Sequence, residues 1–220
     1  MEPRKRTDLQ ASYDRVAEEY AERIFDELRH KSLDRALLAR FAEETRGLGP
    51  VCDLGCGPGH VARHLHGLGV EVFGIDLSAG MVEQARRLNP QIEFLQGDML
   101  SLDADDEAWG GIVAFYSIIH VPPEEVPRAL RELWRVLKAG GVLLLSFHVG
   151  EETIHLDEWW GEEVSVDFYF FRPGEIEDCL AAAGFEVEEV IQRPSYKDVE
   201  HQSQRAYVFA RKPNVRVAND

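Results

Sequence analysis

Apolar residues recur at helical intervals near the start of the chain. Leu9, Tyr13, Val16, Ala17, Tyr20 and Ile24 fall on one stripe, so this segment is expected to be a helix. Thr7 and Gln10 stand at the spacing of a capping box and would mark its start. A second helix is expected over 32–45, with Leu33, Leu37, Leu38 and Phe41 inward, ended by Gly47, Gly49 and Pro50. From Val51 onward, short apolar runs alternate with amphipathic stretches. Strands are expected at 51–54, 71–75, 92–95, 112–115 and 142–147. Helices are expected between them at 60–68, at 78–88 with Ser78 as the N-cap, and at 123–137. The last of these carries Val126, Leu130, Leu133, Trp134 and Leu137 on one face, with Gly140 and Gly141 closing it.

Strands separated by helices of this length imply right-handed βαβ units. The expected fold is therefore α/β, a Rossmann-like doubly wound, mostly parallel sheet with helices on both faces. The last third changes character. Val164, Val166, Phe168 and Phe170 alternate with Ser165, Asp167 and Tyr169, the pattern of a half-buried strand. A helix over 173–183, stopped by Gly184, and two strands at 185–191 and 205–210 complete the chain. No repeat, linker or low-complexity stretch interrupts it, so residues 1–220 are expected to form one domain.

Composition narrows the function. The chain has 40 acidic against 24 basic residues, a formal net charge of −16. Such a field repels phosphate backbones, so no nucleic-acid partner is expected and a small molecule is. No run of 18 apolar residues occurs, and the polar start lacks the apolar stretch of a secretory signal. No membrane partner is expected. The three cysteines, Cys52, Cys56 and Cys179, are too few and too oddly spaced for a disulfide framework or a zinc site. A cytoplasmic, metal-free protein is the expectation.

The stretch Val51-Cys52-Asp53-Leu54-Gly55-Cys56-Gly57-Pro58-Gly59 places a glycine turn between a strand and a helix. Such a turn lets a ligand approach the backbone closely, beyond the carboxyl ends of the strands. Two acids follow successive strands. Asp76, in Gly74-Ile75-Asp76-Leu77-Ser78, can accept both hydroxyls of a ribose. Asp98, in Gln96-Gly97-Asp98-Met99-Leu100, can accept the exocyclic amine of an adenine. Together they point to a nucleoside ligand. A dinucleotide fingerprint needs a sixth-position glycine, where this chain has His60. Asp53 would repel a pyrophosphate but suits the ammonium and sulfonium of S-adenosyl-L-methionine (SAM).

Asp53-Leu54-Gly55-Cys56-Gly57-Pro58-Gly59, Asp76, Gly97-Asp98-Met99 and Leu137-Lys138-Ala139-Gly140-Gly141 resemble, in order and spacing, the motifs of class I SAM-dependent methyltransferases. The resemblance implies a seven-stranded sheet with its last strand inserted antiparallel. It implies a SAM site that includes Asp53, Gly55, Gly57, Gly59, Asp76, Leu77, Met81, Asp98, Met99 and Phe115. It also implies N-terminal lid helices over 1–47, bringing Tyr13 and Tyr20 to the site, and an acceptor-side insertion over 151–171. His120, after the fourth strand, is the candidate general base. The chain departs from the family at Trp109-Gly110-Gly111, where relatives often show an acid. The insertion mixes carboxylates and aromatic rings without Lys or Arg. That makes an amine acceptor one hypothesis and a solvated outer face over an apolar inner one the other. A SAM-dependent methyltransferase acting on a small molecule is the leading expectation. A non-catalytic SAM-binding module and an NAD-dependent oxidoreductase are the alternatives.

Overall fold

A computed structural model of the protein describes residues 3–214. Helix α1 (Pro3–Ile24) leads through a 3₁₀ turn to α2 (Ser32–Glu44). The alternating segment follows as β1 (Val51–Leu54), α3 (His60–Gly67), β2 (Val72–Asp76), α4 (Ala79–Leu88), β3 (Glu93–Gln96), β4 (Trp109–Phe115), α5 (Val126–Val136) and β5 (Leu137–Val149). The last third gives β6 (Thr153–Trp159), β7 (Glu162–Tyr169), α6 (Pro173–Ala183), β8 (Glu186–Pro194) and β9 (Gln204–Arg211).

Seven strands form one sheet in the order β3-β2-β1-β4-β5-β9-β8. The pairs from β3 through β5 are parallel, and β9 runs antiparallel between β5 and β8. Every residue of β1 is buried, as expected where helices cover both faces. On one face Leu38, Phe41, Val61, Leu65, Val82 and Ala85 join α2, α3 and α4 to the sheet. On the other, Val126, Leu130, Leu133, Ile176 and Leu180 do so from α5 and α6. The strand order reverses between β1 and β4, where open α/β sheets leave a crevice.

Helix α1 lies outside these layers. Its Val16 packs with Val164 and Val166 of the β6–β7 hairpin, which forms a separate two-stranded sheet. Ser12 Oγ accepts from Ser165 N at 2.8 Å, which ties α1 to β7. At α4, the Asp14 carboxylate accepts from Ser78 Oγ at 2.6 Å and Gly80 N at 2.8 Å. A Cβ on Gly80 would come within 3.0 Å of Asp14 Cα, so glycine permits the approach.

Three local expectations are corrected. Helix α1 begins at Pro3, so Thr7 and Gln10 lie inside it rather than at a capping box. Pro suits a first helical turn, where its missing N–H is an orphan in any case. Helix α5 ends at Val136, and Gly140 and Gly141 belong to β5. Strand β6 was not expected. The Trp109-Gly110-Gly111 departure has a packing cause: a Cβ on Gly110 would lie 2.6 Å from the Leu48 backbone, and one on Gly111 2.6 Å from Thr45 Cγ2. The link from α2 to β1 presses directly on this strand.

Candidate functional site

A cavity of about 970 Å³, including its mouth, opens beyond the carboxyl ends of β1, β2 and β4 and is roofed by α1. Its floor is the glycine turn. Gly55 N and Cys56 N both donate to Ile75 O, at 2.7 and 3.1 Å, which folds the turn across the end of β2. Gly55, Gly57 and Gly59 have φ of +72°, +51° and +80°. Their surroundings differ. A Cβ on Gly57 would meet only the Tyr20 ring, at 3.7 Å, and would stand in the cavity. This is a cradle for a close-lying ligand.

Asp76 ends β2 at the wall of this cradle. Its Oδ2 accepts from Gly57 N at 2.8 Å and its Oδ1 from Ser78 N at 2.9 Å. Each oxygen retains a lone pair for a hydroxyl. Burial raises the Asp76 carboxyl to about 6, while the backbone N–H groups of Ser78, Gly57 and Leu77 hold it down. Ligand hydroxyls favour the ionised form, so nucleoside affinity should fall as pH drops through about 6. Calorimetry at pH 5.2 and 7.5 checks this: equal Kd values would remove Asp76 as the acceptor, and Asp76→Asn should abolish the dependence.

Of the residues expected at the site, Tyr13, Tyr20, Gly55, Gly57, Asp76, Leu77, Met81, Met99, Phe115 and His120 line the cavity. Asp53, Gly59 and Asp98 do not. Asp53 is buried beneath α3, where Oδ2 accepts from Ala62 N at 2.9 Å. It thereby caps the helix that Gly59, without a side chain, cannot cap. Burial pushes its carboxyl up to about 7, and the expected facing of a ligand ammonium is replaced by this structural role. Asp98 accepts from Leu100 N at 2.7 Å and is ion-paired with Arg6, while its neighbours Gly97 and Met99 reach the cavity.

His120 is not a free base. Its Nδ1 lies 3.0 Å from the Asp167 carbonyl oxygen, which only accepts, so Nδ1 carries the hydrogen. Burial lowers the ring to about 4, so Nε2 is a bare acceptor at neutral pH and takes the Tyr13 hydroxyl hydrogen at 2.7 Å. The hairpin does not line the cavity either. Trp159 and Phe168 pack against Tyr13, Tyr20 and His120, bracing α1 from outside. Glu151, Glu152, Asp157, Glu158, Glu162 and Glu163 are exposed. These carboxylates form a solvated face of the hairpin.

Residues 51–141 match the methyltransferase domain family. The malonyl-[acyl-carrier protein] O-methyltransferase of Enterobacter lignolyticus is 30% identical over 164 residues, 73% of this chain and 61% of that protein. The 2-phytyl-1,4-naphtoquinone methyltransferase of Thermosynechococcus vestitus is 33% identical over 61% of this chain and 62% of its own length. The magnesium protoporphyrin IX methyltransferase of Synechocystis PCC 6803, solved with bound SAM, superposes with a TM-score of 0.72 at 19% identity over 94% of this chain and 97% of that one. The chain carries a methyltransferase-family domain over residues 51–141 and has the fold of the class I SAM-dependent methyltransferases. It spans about three fifths of the length of the two curated relatives.

Within this methyltransferase fold, further residues line the cavity. Tyr116 lines the cavity in a left-handed conformation, φ +51°. Its hydroxyl lies 2.9 Å from that of Tyr207, which donates to Asp34 Oδ1 at 2.9 Å. Arg193 Nη2 donates to Asp34 Oδ2 at 2.9 Å, closing a buried network behind the wall. Ser117, His60 and Glu27 also line the cavity. His60 was legible as the residue after the last turn glycine. Glu27, far away in sequence, carried no local signal.

Proposed function

We propose that this chain transfers a methyl group from SAM to a small-molecule acceptor. The observation that carries this reading is Asp76. A carboxylate with two free lone pairs stands beside a glycine cradle that a single methyl would fill. That is the arrangement a ribose next to bare backbone requires. Once bound, SAM supplies an already activated methyl on a sulfonium. The chain's residues then have to hold donor and acceptor in line and exclude water, and positioning of this kind supplies on the order of 7–11 kcal/mol of a barrier.

The roof supports this division of labour. Tyr13 and Tyr20 close the cavity from α1, so segment 1–47 serves as the lid. Segment 151–171 supports that lid by packing, and the acceptor enters beneath it. His120 is a positioning residue that holds the Tyr13 hydroxyl. Tyr13→Phe should leave the buried Nε2 of His120 unpaired and cost about 1–3 kcal/mol of stability, or about 2–12 °C in Tm. A thermal melt checks it, and an unchanged Tm would dismiss the Tyr13–His120 bond as a lid fastening.

The relatives named for a carrier-bound malonyl group and for a naphthoquinone support a small-molecule acceptor. The net charge of −16 disfavours nucleic acid. Among the described residues all three cysteines are free thiols, which supports a reducing cytoplasmic setting. No described helix is long and apolar enough to cross a membrane.

The test is calorimetry with SAM, S-adenosylhomocysteine (SAH) and NAD, followed by SAH release in the presence of carboxylic acids, quinols and amines. Binding of both sulfur nucleosides with NAD silent, and turnover of one acceptor class, is the expected result. NAD binding, or silence towards all three, ends the proposal. Binding of SAM without turnover of any acceptor would leave the non-catalytic module standing.

A further inference from the structure

The glycine cradle and Asp76 account for a nucleoside, not for an amino-acid tail. The acid that sequence proximity suggested for the tail's ammonium, Asp53, is turned to α3 instead. Another carboxylate lines the cavity. Glu27 sits in the 3₁₀ turn that joins α1 to α2, and its Oε1 lies 3.2 Å from His60 Nε2. A carboxylate only accepts, so Nε2 carries a hydrogen, and Nδ1 is the ring nitrogen left over. That Nδ1 is buried and has no partner among the described residues. Buried polar atoms are nearly always paired, so an orphan in a cavity wall marks a place for a polar atom of a ligand.

The Glu27 carboxylate is itself fixed. Lys31 Nζ lies 2.7 Å from Oε2 and is held in turn by Glu200 at 3.1 Å. Burial opposes ionisation of Glu27, but hydrogen bonds from His60 and Lys31, together with the Lys31 charge, outweigh it and hold the carboxyl at about 2. Tyr20 walls the same corner, close enough that Glu27 opposes ionisation of its hydroxyl. The corner therefore presents a carboxylate and an aromatic ring, which attract a cation that donates hydrogen bonds, beside an unpartnered ring nitrogen.

We propose that Glu27 and His60 form the ammonium-recognition subsite for the amino-acid tail of the donor. This rests on the SAM reading above and deepens it: the chain would read the tail's charged amine with residues from the lid hinge and the first turn of α3. A nucleoside lacking that amine would lose the contact whatever else it kept.

The experiment is calorimetry with three probes: SAH, its deaminated analogue that retains the carboxylate, and methylthioadenosine, which lacks the whole tail. Wild type, Glu27→Gln and His60→Ala are compared, with melts to verify folding. Glu27→Gln keeps one acceptor oxygen for His60 and removes the charge, at the loss of the oxygen that faces Lys31. Wild type should prefer SAH over the deaminated analogue by about tenfold to hundredfold. In both variants that preference should shrink below about threefold, with methylthioadenosine affinity unchanged. A preference that persists in the variants overturns the subsite while leaving the donor reading intact. Equal weakening of all three probes also overturns it, as a loss of structure and not of recognition. Wild type blind to SAH would overturn both at once.

Discussion

Asp76→Ala is expected to weaken SAH binding by about tenfold to hundredfold while the protein stays folded. Two effects separate here. The wild-type carboxylate accepts from Gly57 N and Ser78 N, and these donors lose their partner. They lie at the wall of an open cavity, however, where water can replace the lost oxygen, so the stability cost is small. A ribose finds no such replacement. Both of its hydroxyls would be buried against an apolar methyl, and the ordering of the glycine turn by Asp76 would be gone as well. Calorimetry with SAH measures the first effect and a thermal melt the second. A Kd within threefold of wild type would show that the nucleoside does not lie against β2.

The second large effect is on stability. Gly59→Ala should lower the unfolding free energy by about 2–5 kcal/mol, and Tm by about 5–15 °C. The backbone there is left-handed, φ +80°, which costs a residue with a Cβ on the order of 1 kcal/mol. The Cβ would also lie 2.6 Å from the Phe94 ring and 2.8 Å from Asn89 Nδ2. Phe94 is fully buried, and Asn89 already donates to Pro58 O and Ala85 O, so neither has room to yield. Gly57→Ala makes the contrast. Its φ of +51° carries a similar backbone cost, but its Cβ meets little protein, so that variant should lose less stability and bind the nucleoside poorly. The same substitution two residues apart thus distinguishes a packing glycine from a ligand-facing one. Similar Tm losses in both variants would erase the distinction.

The legible parts of the fold were those where one local cause dominates. Helix α6 starts at a proline and stops at a left-handed glycine, and both ends are read directly from the sequence. Strand β1, buried along its whole length, is a pure apolar run apart from Asp53. Strand β6 was invisible because its alternation is shallow: Thr153, His155 and Asp157 are exposed, and Ile154 and Leu156 only half-buried. Its pairing with β7 also slips between Leu156 and Glu158. At the site, sequence order showed which residues stand at the ends of strands but not which way they turn. Asp53 and Asp76 both flank the turn, yet one serves α3 and the other the cavity. Residues brought in from a distance, Glu27 above all, needed the fold to be seen.

The tie between Asp14 and the start of α4 makes the lid measurable without any ligand. When α1 lifts, Gly80 N loses its acceptor and becomes an uncapped amide at a helix end. Solvent deuterons then reach it at a rate governed by how often the roof departs. The protection of one backbone proton therefore clocks the traffic of molecules into and out of the cavity.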